Sequence, residues 1–307
     1  MMTFLVILLS LILLLIINYI VFRRSFCATL IETILRLKPN SRYKLDRLYS
    51  SKIASERNNY SAPKLKCDVS NYDVDGMPVY ELGQGDRVVM YLHGGAYVAQ
   101  PMIFQWRFAT KLAKETGVKV VVPMYPLAPE HTYKDAKTKV TKLYKQLLKD
   151  YKQVVVIGDS AGGGLALALA QSWQGSKIDA PSKLILLSPW LDITLSNKLI
   201  PGLDVIDPML SYKDLRNIGP LWAGELLTTD SFVSPINSDI IPSSKMYIFA
   251  GTREIFCPDC IDYYVKCKKA NADVCLILGN GMNHVYPMYP IPEAHTAFKQ
   301  ICEIVLD

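Results

Sequence analysis

No block of lysine or arginine, no internal repeat and no low-complexity tract occurs in this 307-residue sequence. Thirty-four basic residues against 28 acidic ones leave a formal charge of +6, spread along the chain, which argues against a nucleic-acid-binding surface. Charged residues make up only 20% and hydrophobic ones 50%, which excludes a disordered chain and permits a large core. Cysteine is an odd seven without framework spacing, so reduced thiols are expected rather than a disulfide scaffold. Cys257-Pro258-Asp259-Cys260 is a lone pair with no second pair and no ligand-spaced histidine. Neither a zinc site nor a redox motif is expected there, and chance spacing explains it better. Histidine is scarce, at four residues, so a catalytic base has few candidates.

One long apolar run is present. Residues 4–22 are interrupted only by Ser10 and Asn18. About 19 residues at ~1.5 Å rise reach about 28 Å, close to one hydrocarbon core. A cleaved signal peptide, the competing reading, would carry basic residues before a shorter run and small residues at a cleavage site. Here Arg23 and Arg24 follow the run instead. Nor does Arg24-Ser25-Phe26-Cys27 offer the small residues expected before a lipidated cysteine. The expectation is one uncleaved transmembrane helix over residues 1–24, through which the membrane becomes a partner of the chain. Arg23, Arg24, Arg36 and Lys38 just beyond it put the main domain on the cytoplasmic side by the positive-inside bias.

Residues 25–60 place Phe26, Leu30, Ile34 and Leu37, then Leu45, Leu48, Tyr49 and Ile53, at helical spacing. They are expected as short amphipathic helices between membrane and core. Asp75-Gly76 between Tyr72–Val74 and Val79-Tyr80 predicts a hairpin. From residue 87 short apolar runs at 88–92, 119–122, 154–157, 184–187, 246–250 and 274–278 alternate with helix-length stretches. That rhythm predicts an α/β fold over residues 61–307, a mostly parallel sheet covered on both faces, with working residues at the carboxyl ends of strands. It stops between 190 and 230, where an inserted lid or a peripheral excursion is expected.

Val154–Ile157 runs into Gly158-Asp159-Ser160-Ala161-Gly162 and then a helix. Gly-x-Ser-x-Gly alone arises by chance in about one chain in ten of this length. Seated between a buried strand and a helix, it marks a tight turn that lifts a serine hydroxyl above the sheet. Ser160 is the expected nucleophile. Of the histidines, His295 falls in the terminal helix, His131 in a loop it could simply brace, and His93 at a strand end where it positions the Gly94-Gly95-Ala96 turn. His284, in the loop after the last strand, is the expected base. Glu254, just past the strand 246–250, is the expected acid; Asp259, with helix capping as its other role, and Asp192 are the alternatives. The order Ser160, Glu254, His284 is that of α/β-hydrolases. The backbone N–H groups of Gly95, Ala96 and Ala161, with Gly94 as a further candidate, are expected to form an oxyanion hole; a plain tight turn is the competing reading for the glycine loop.

Taken together, these segments resemble the hormone-sensitive-lipase-like branch of α/β-hydrolase esterases. His93-Gly94-Gly95-Ala96-Tyr97 is similar to that family's HGGG loop, Tyr125–His131 to its YRLAPE(H) segment, and Gly158–Gly163 to its nucleophile motif. Ser188-Pro189-Trp190 also runs in register. The likeness covers roughly residues 70–307, with two departures: Ala96 replaces the third glycine, and Glu254 stands where the family usually has Asp. The resemblance implies the α/β-hydrolase fold, a helical cap made by the N-terminal helices and residues 190–230, and hydrolysis of small-molecule esters through an acyl-enzyme, without metal or organic cofactor. A non-catalytic small-ligand-binding module on the same fold is the alternative, and a redox or metal protein built on Cys257 and Cys260 a more distant one.

Overall fold

The computed structural model describes residues 20, 23–37 and 60–307. The anchor expected at 4–22 and the second amphipathic run at 45–53 lie outside the described residues, Ile20 apart. Among the described residues no helix is long and apolar enough to cross a membrane.

Helix α1 (Phe26–Leu37) comes first. A hairpin of β1 (Val69–Val74) and β2 (Met77–Leu82) follows, turning through Asp75 and Gly76 at φ 53° and 75°. Two consecutive left-handed residues are what a two-residue hairpin turn requires, and Asp-Gly meets that need. Then β3 (Val88–Leu92), α2 (Ile103–Thr116), β4 (Lys119–Pro123), α3 (Tyr133–Asp150), β5 (Val154–Asp159), α4 (Ala161–Trp173) and β6 (Lys183–Leu187) alternate. After an insertion containing α5 (Ile200–Asp204) and α6 (Tyr212–Ala223), the chain resumes with β7 (Lys245–Gly251), α7 (Cys257–Lys269), β8 (Val274–Gly279) and α8 (Pro292–Leu306).

The eight strands form one sheet in the order β1-β2-β4-β3-β5-β6-β7-β8. Only the β1–β2 and β2–β4 pairings are antiparallel. Along β3, Val88, Met90 and Leu92 enter one core, whereas Val89 and Tyr91 enter the other. This period-two alternation buries both faces. Helices α3, α4 and α7 cover the first face together with the insertion, and α2 and α8 cover the second. The parallel strands end level: Leu92 pairs with Gly158, Asp159 with Leu187, Leu187 with Phe249, and Gly251 with Gly279. Five adjacent strands therefore deliver their following loops to one edge of the molecule.

Residues 190–230 are not a peripheral excursion. Trp190, Leu191, Ile193, Ile200, Leu215, Ile218 and Trp222 are buried in the first core. Tyr97, on the loop after β3, stacks on Trp222 at 4.1 Å and on Trp190 at 5.6 Å, so the insertion packs directly against that loop.

Candidate active site

The turn after β5 is built by two glycines with no space for a side chain. A Cβ on Gly158 would lie 2.3 Å from the Gly162 carbonyl oxygen, and one on Gly162 would lie 2.1 Å from the Leu92 oxygen. Their absence of Cβ lets α4 start immediately against β3 and β5. Ser160, between them, is held at φ 53°, ψ −122°, a strained conformation for a non-glycine residue. Its backbone is fixed from both sides: its N–H donates to the Leu187 carbonyl at 2.9 Å and its carbonyl accepts from the N–H of Gly164 and Trp190.

Ser160 and His284 line the same small cleft, together with Gly95 and Ala96 on one side and Met209 and Leu210 of the insertion on the other. The cleft volume is about 20 Å³, room for roughly one water molecule. His284 is buried, and its Nδ1 donates to Glu254 Oε2. Burial disfavours a charged imidazole, but the Glu254 carboxylate, helped by Asp207 and Asp159, outweighs it and raises the His284 pKa above the ordinary value. The second Glu254 oxygen accepts from the Gly251 N–H at 2.7 Å and from the Ser188 hydroxyl at 2.8 Å. The sequence-expected acid and base are thus brought together. The two alternative acids turn elsewhere. Asp192 accepts from Thr194, Ser196 and Ser234, and Asp259 accepts from Asn197 at 3.0 Å. Burial, with Asp192 and Asp262 adding to it, pushes the Asp259 carboxyl up to about 7.

The loop after β3 has three successive left-handed residues, Gly95, Ala96 and Tyr97, at φ 135°, 54° and 62°. Ala96 therefore adopts the conformation for which the missing glycine would be better suited. Among the described residues no hydrogen bond occupies the N–H of Gly95, Ala96 or Ala161. Gly94 is different, and the expectation of it as an oxyanion donor is corrected here. Its N–H is spent on Asp159 Oδ1 at 2.8 Å, and a Cβ there would meet Asp159 Oδ2 at 2.4 Å.

His93 is the brace of this loop. Its Nδ1 donates to the Gly94 carbonyl at 2.8 Å, its ring stacks on Tyr125 at 4.5 Å, and the Tyr125 hydroxyl donates to its carbonyl at 2.6 Å. Complete burial lowers its pKa to about 4, so the ring is neutral. His131 and His295 are exposed. Burial pushes the Cys257 thiol up to about 12 and raises the Cys260 thiol well above its ordinary value, and among the described residues no three potential ligands gather around a metal position.

Three supporting residues carry no sequence expectation. Asp159 accepts from the Tyr91 hydroxyl at 2.6 Å, the Gly94 N–H and Gln105 Nε2 at 2.9 Å, tying the turn of Ser160 to the loop of Gly95. Asp207 accepts from the N–H groups of Met209, Leu210 and Ile255, tying the insertion to the turn of Glu254. Ser188, at φ 48°, joins Glu254 to the Val285 N–H. The available signal was positional: Asp159 and Ser188 each sit at the carboxyl end of a strand, the first beside the nucleophile.

An alpha/beta hydrolase fold family model matches residues 89–288. An esterase of Acinetobacter venetianus is 30% identical over 236 residues, covering 75% of this chain and 78% of the relative. A crystal structure of a Staphylococcus aureus protein described as an esterase superposes with a TM-score of 0.80 at 30% identity, covering 89% of this chain and 99% of that one. An esterase of the bacterial hormone-sensitive lipase family shares the fold with a TM-score of 0.79 at 22% identity, over 92% of this chain and 98% of its own. With the elbow, the level strand ends and these likenesses in place, the chain belongs to the α/β-hydrolase fold family, among relatives described as esterases.

Proposed function

We propose that the chain is a membrane-anchored carboxylesterase with Ser160 as nucleophile, His284 as base and Glu254 as acid. Ser160 Oγ attacks the ester carbonyl carbon while His284 Nε2 takes its proton. The N–H groups of Gly95, Ala96 and Ala161 meet the oxyanion that forms. Collapse of the tetrahedral intermediate breaks the bond to the alcohol, which leaves with the proton from His284. Water then attacks the acyl-enzyme with His284 again as base, releasing the acid and restoring Ser160. Glu254 keeps Nδ1 protonated and stabilises the imidazolium; its extra methylene is accommodated because Ser188 and Gly251 hold the far carboxylate oxygen.

The observation that carries this reading is that the Glu254-bound imidazole and the strained Ser160 line one cleft, at the carboxyl ends of β5, β7 and β8. Residues 1–24 act as the anchor, 25–60 as a helical segment, and 61–307 as the hydrolase domain, with 190–230 capping the cleft. The basic residues after the anchor place that domain on the cytoplasmic side. Fluorophosphonate labelling of the full chain tests the chemistry. Wild type labels, Ser160→Ala does not, and His284→Ala labels slowly. A folded wild type that fails to label hands the site to the non-catalytic ligand-binding reading.

A further inference from the structure

Helix α1 is inside out. A surface helix ordinarily turns its charges to water and its apolar stripe to the core. Here Glu32 points inward and is buried. It receives Arg24 Nη1, Arg36 Nε at 2.9 Å and Nη2 at 2.8 Å, and Arg253 Nη2 at 3.0 Å. Burial alone would raise the Glu32 pKa, but Arg253, Arg24 and Arg36 together bring it down to about 2. The opposite face is apolar and open: Phe26 is 52% exposed, Leu30 49%, Ile34 40% and Leu37 78%. Their spacing of four, four and three residues puts them on one stripe, about 17 Å long at ~1.5 Å per residue. Thr33, on the same side, returns its hydroxyl to the Thr29 carbonyl at 2.9 Å.

The polar face of α1 is bonded to the loops that carry the reaction. Arg253 precedes Glu254. Arg24 also donates to the Gly281 carbonyl at 3.0 Å, in the loop of His284. Arg36 donates to the Ile206 carbonyl at 2.6 Å, beside Asp207. Ser25 is held by Glu293 at the start of α8, through its N–H at 2.6 Å and its hydroxyl at 2.9 Å. Val205, next to Ile206, is 76% exposed.

We propose that the outward stripe of α1, with Val205 of the insertion, is a bilayer-docking surface that seats the catalytic end of the sheet at the headgroup–acyl boundary of an anionic phospholipid membrane. This rests on the anchor reading of residues 4–22. Three residues separate that run from α1, a reach of at most about 10 Å, so a spanning run brings the stripe to the interface. Exposed Arg23, three residues before the helix, and half-exposed Arg36 near its end lie at the two ends of the stripe, where lipid phosphates would meet them. A free carboxylate on this face would oppose such docking; the only acid of α1, Glu32, is turned away and neutralised.

The test uses the full chain in vesicles of phosphatidylcholine and phosphatidylglycerol in equal parts. Its exposed thiols are removed by Cys27→Ser and Cys275→Ser, and a bimane is attached through Leu30→Cys or, at the amino end of the sheet, through Lys152→Cys. Signal from the unsubstituted double-serine parent is subtracted. Nitroxide-labelled lipids should quench the Leu30→Cys label several-fold more than the Lys152→Cys label, in protein that an alkaline carbonate wash leaves in the membrane. Equal, weak quenching at both positions in retained protein overturns the docking surface and leaves the anchor standing. Release by carbonate overturns the anchor and this inference with it. A Leu30→Cys label protected from both nitroxide lipid and aqueous iodide means that protein covers the stripe, either a second copy or residues 38–59, and also overturns the proposal.

Discussion

Ser188 donates its hydroxyl hydrogen to Glu254 Oε1 at 2.8 Å, and the same hydroxyl oxygen accepts the Val285 N–H at 2.9 Å. One side chain on the loop after β6 thereby joins Glu254, after β7, to the residue that follows His284, after β8. The bond to a carboxylate that must stay oriented is of the charge-assisted kind. Ser188→Ala is expected to lower kcat about 10- to 100-fold, the loss of one hydrogen bond to a charged group, with KM little changed. A pH–rate profile of the same variant should show a displaced acid limb, which a general loss of stability would not produce.

Glu254→Gln keeps the shape of the acid and removes its charge. The imidazole then loses its counter-charge and its fixed tautomer, and kcat should fall by roughly 10³- to 10⁴-fold. Burst kinetics with an activated ester would show the loss in acylation. Glu254→Asp, which restores the family's usual residue but shortens the reach, should retain far more activity.

On the proposed mechanism His284 must be neutral to accept the Ser160 proton. Because Glu254, Asp207 and Asp159 together outweigh burial and raise the His284 pKa, activity should fall on acidification through a midpoint above the ordinary histidine value of 6.5. The acid limb of kcat/KM measures it directly. The same raised pKa makes the His284 contribution to stability present at low pH and lost as pH rises through that midpoint.

His93 works in the opposite sense. Its folded-state pKa of about 4 lies below the ordinary 6.5, so the unfolded chain binds the extra proton between these values. The stability that depends on a neutral His93 is present above 6.5 and is lost as pH falls towards 4, about 3 kcal/mol in all. Urea unfolding at several pH values should show this slope in wild type and lack it in His93→Asn, whose amide can still donate to the Gly94 carbonyl. Asp207, raised by burial to about 6, contributes with the reverse slope in both proteins, so the difference between them isolates His93.

Gly162→Ala should damage the fold rather than the chemistry. The added methyl would meet the Leu92 oxygen at 2.1 Å and the His93 oxygen at 2.5 Å, both backbone atoms that cannot step aside. A loss of at least about 1–3 kcal/mol in chemical denaturation is expected.

Much of this architecture was legible in the residues. The apolar runs gave every parallel strand to within one or two residues, and Gly158 and Gly162 announced the elbow because only a backbone crossing requires both. Order along the chain pointed to Glu254 and His284. What pattern could not supply were bonds between side chains and distant backbone. Asp159 to Gly94, Ser188 to Val285 and Asp207 to Ile255 join positions 48 to 97 residues apart, and local sequence gives no sign of such partners. The Gly94 misassignment has this origin, since its N–H was free until Asp159 was placed beside it. Helix α1 shows a further limit. Its periodicity located one apolar stripe but not the direction in which the stripe faces, which Arg253, more than two hundred residues away, decides by drawing Glu32 inward.

The cleft holds about one water molecule, whereas even an acetyl group needs more space. An acyl group entering here meets Met209, Leu210 and Leu215 of the insertion, and turnover is expected to depend on their giving way. On that expectation the size of the acyl group acts as a kinetic variable before it is an affinity. Longer chains wait for wider and rarer openings, and solvent viscosity should slow their turnover more than that of acetate esters.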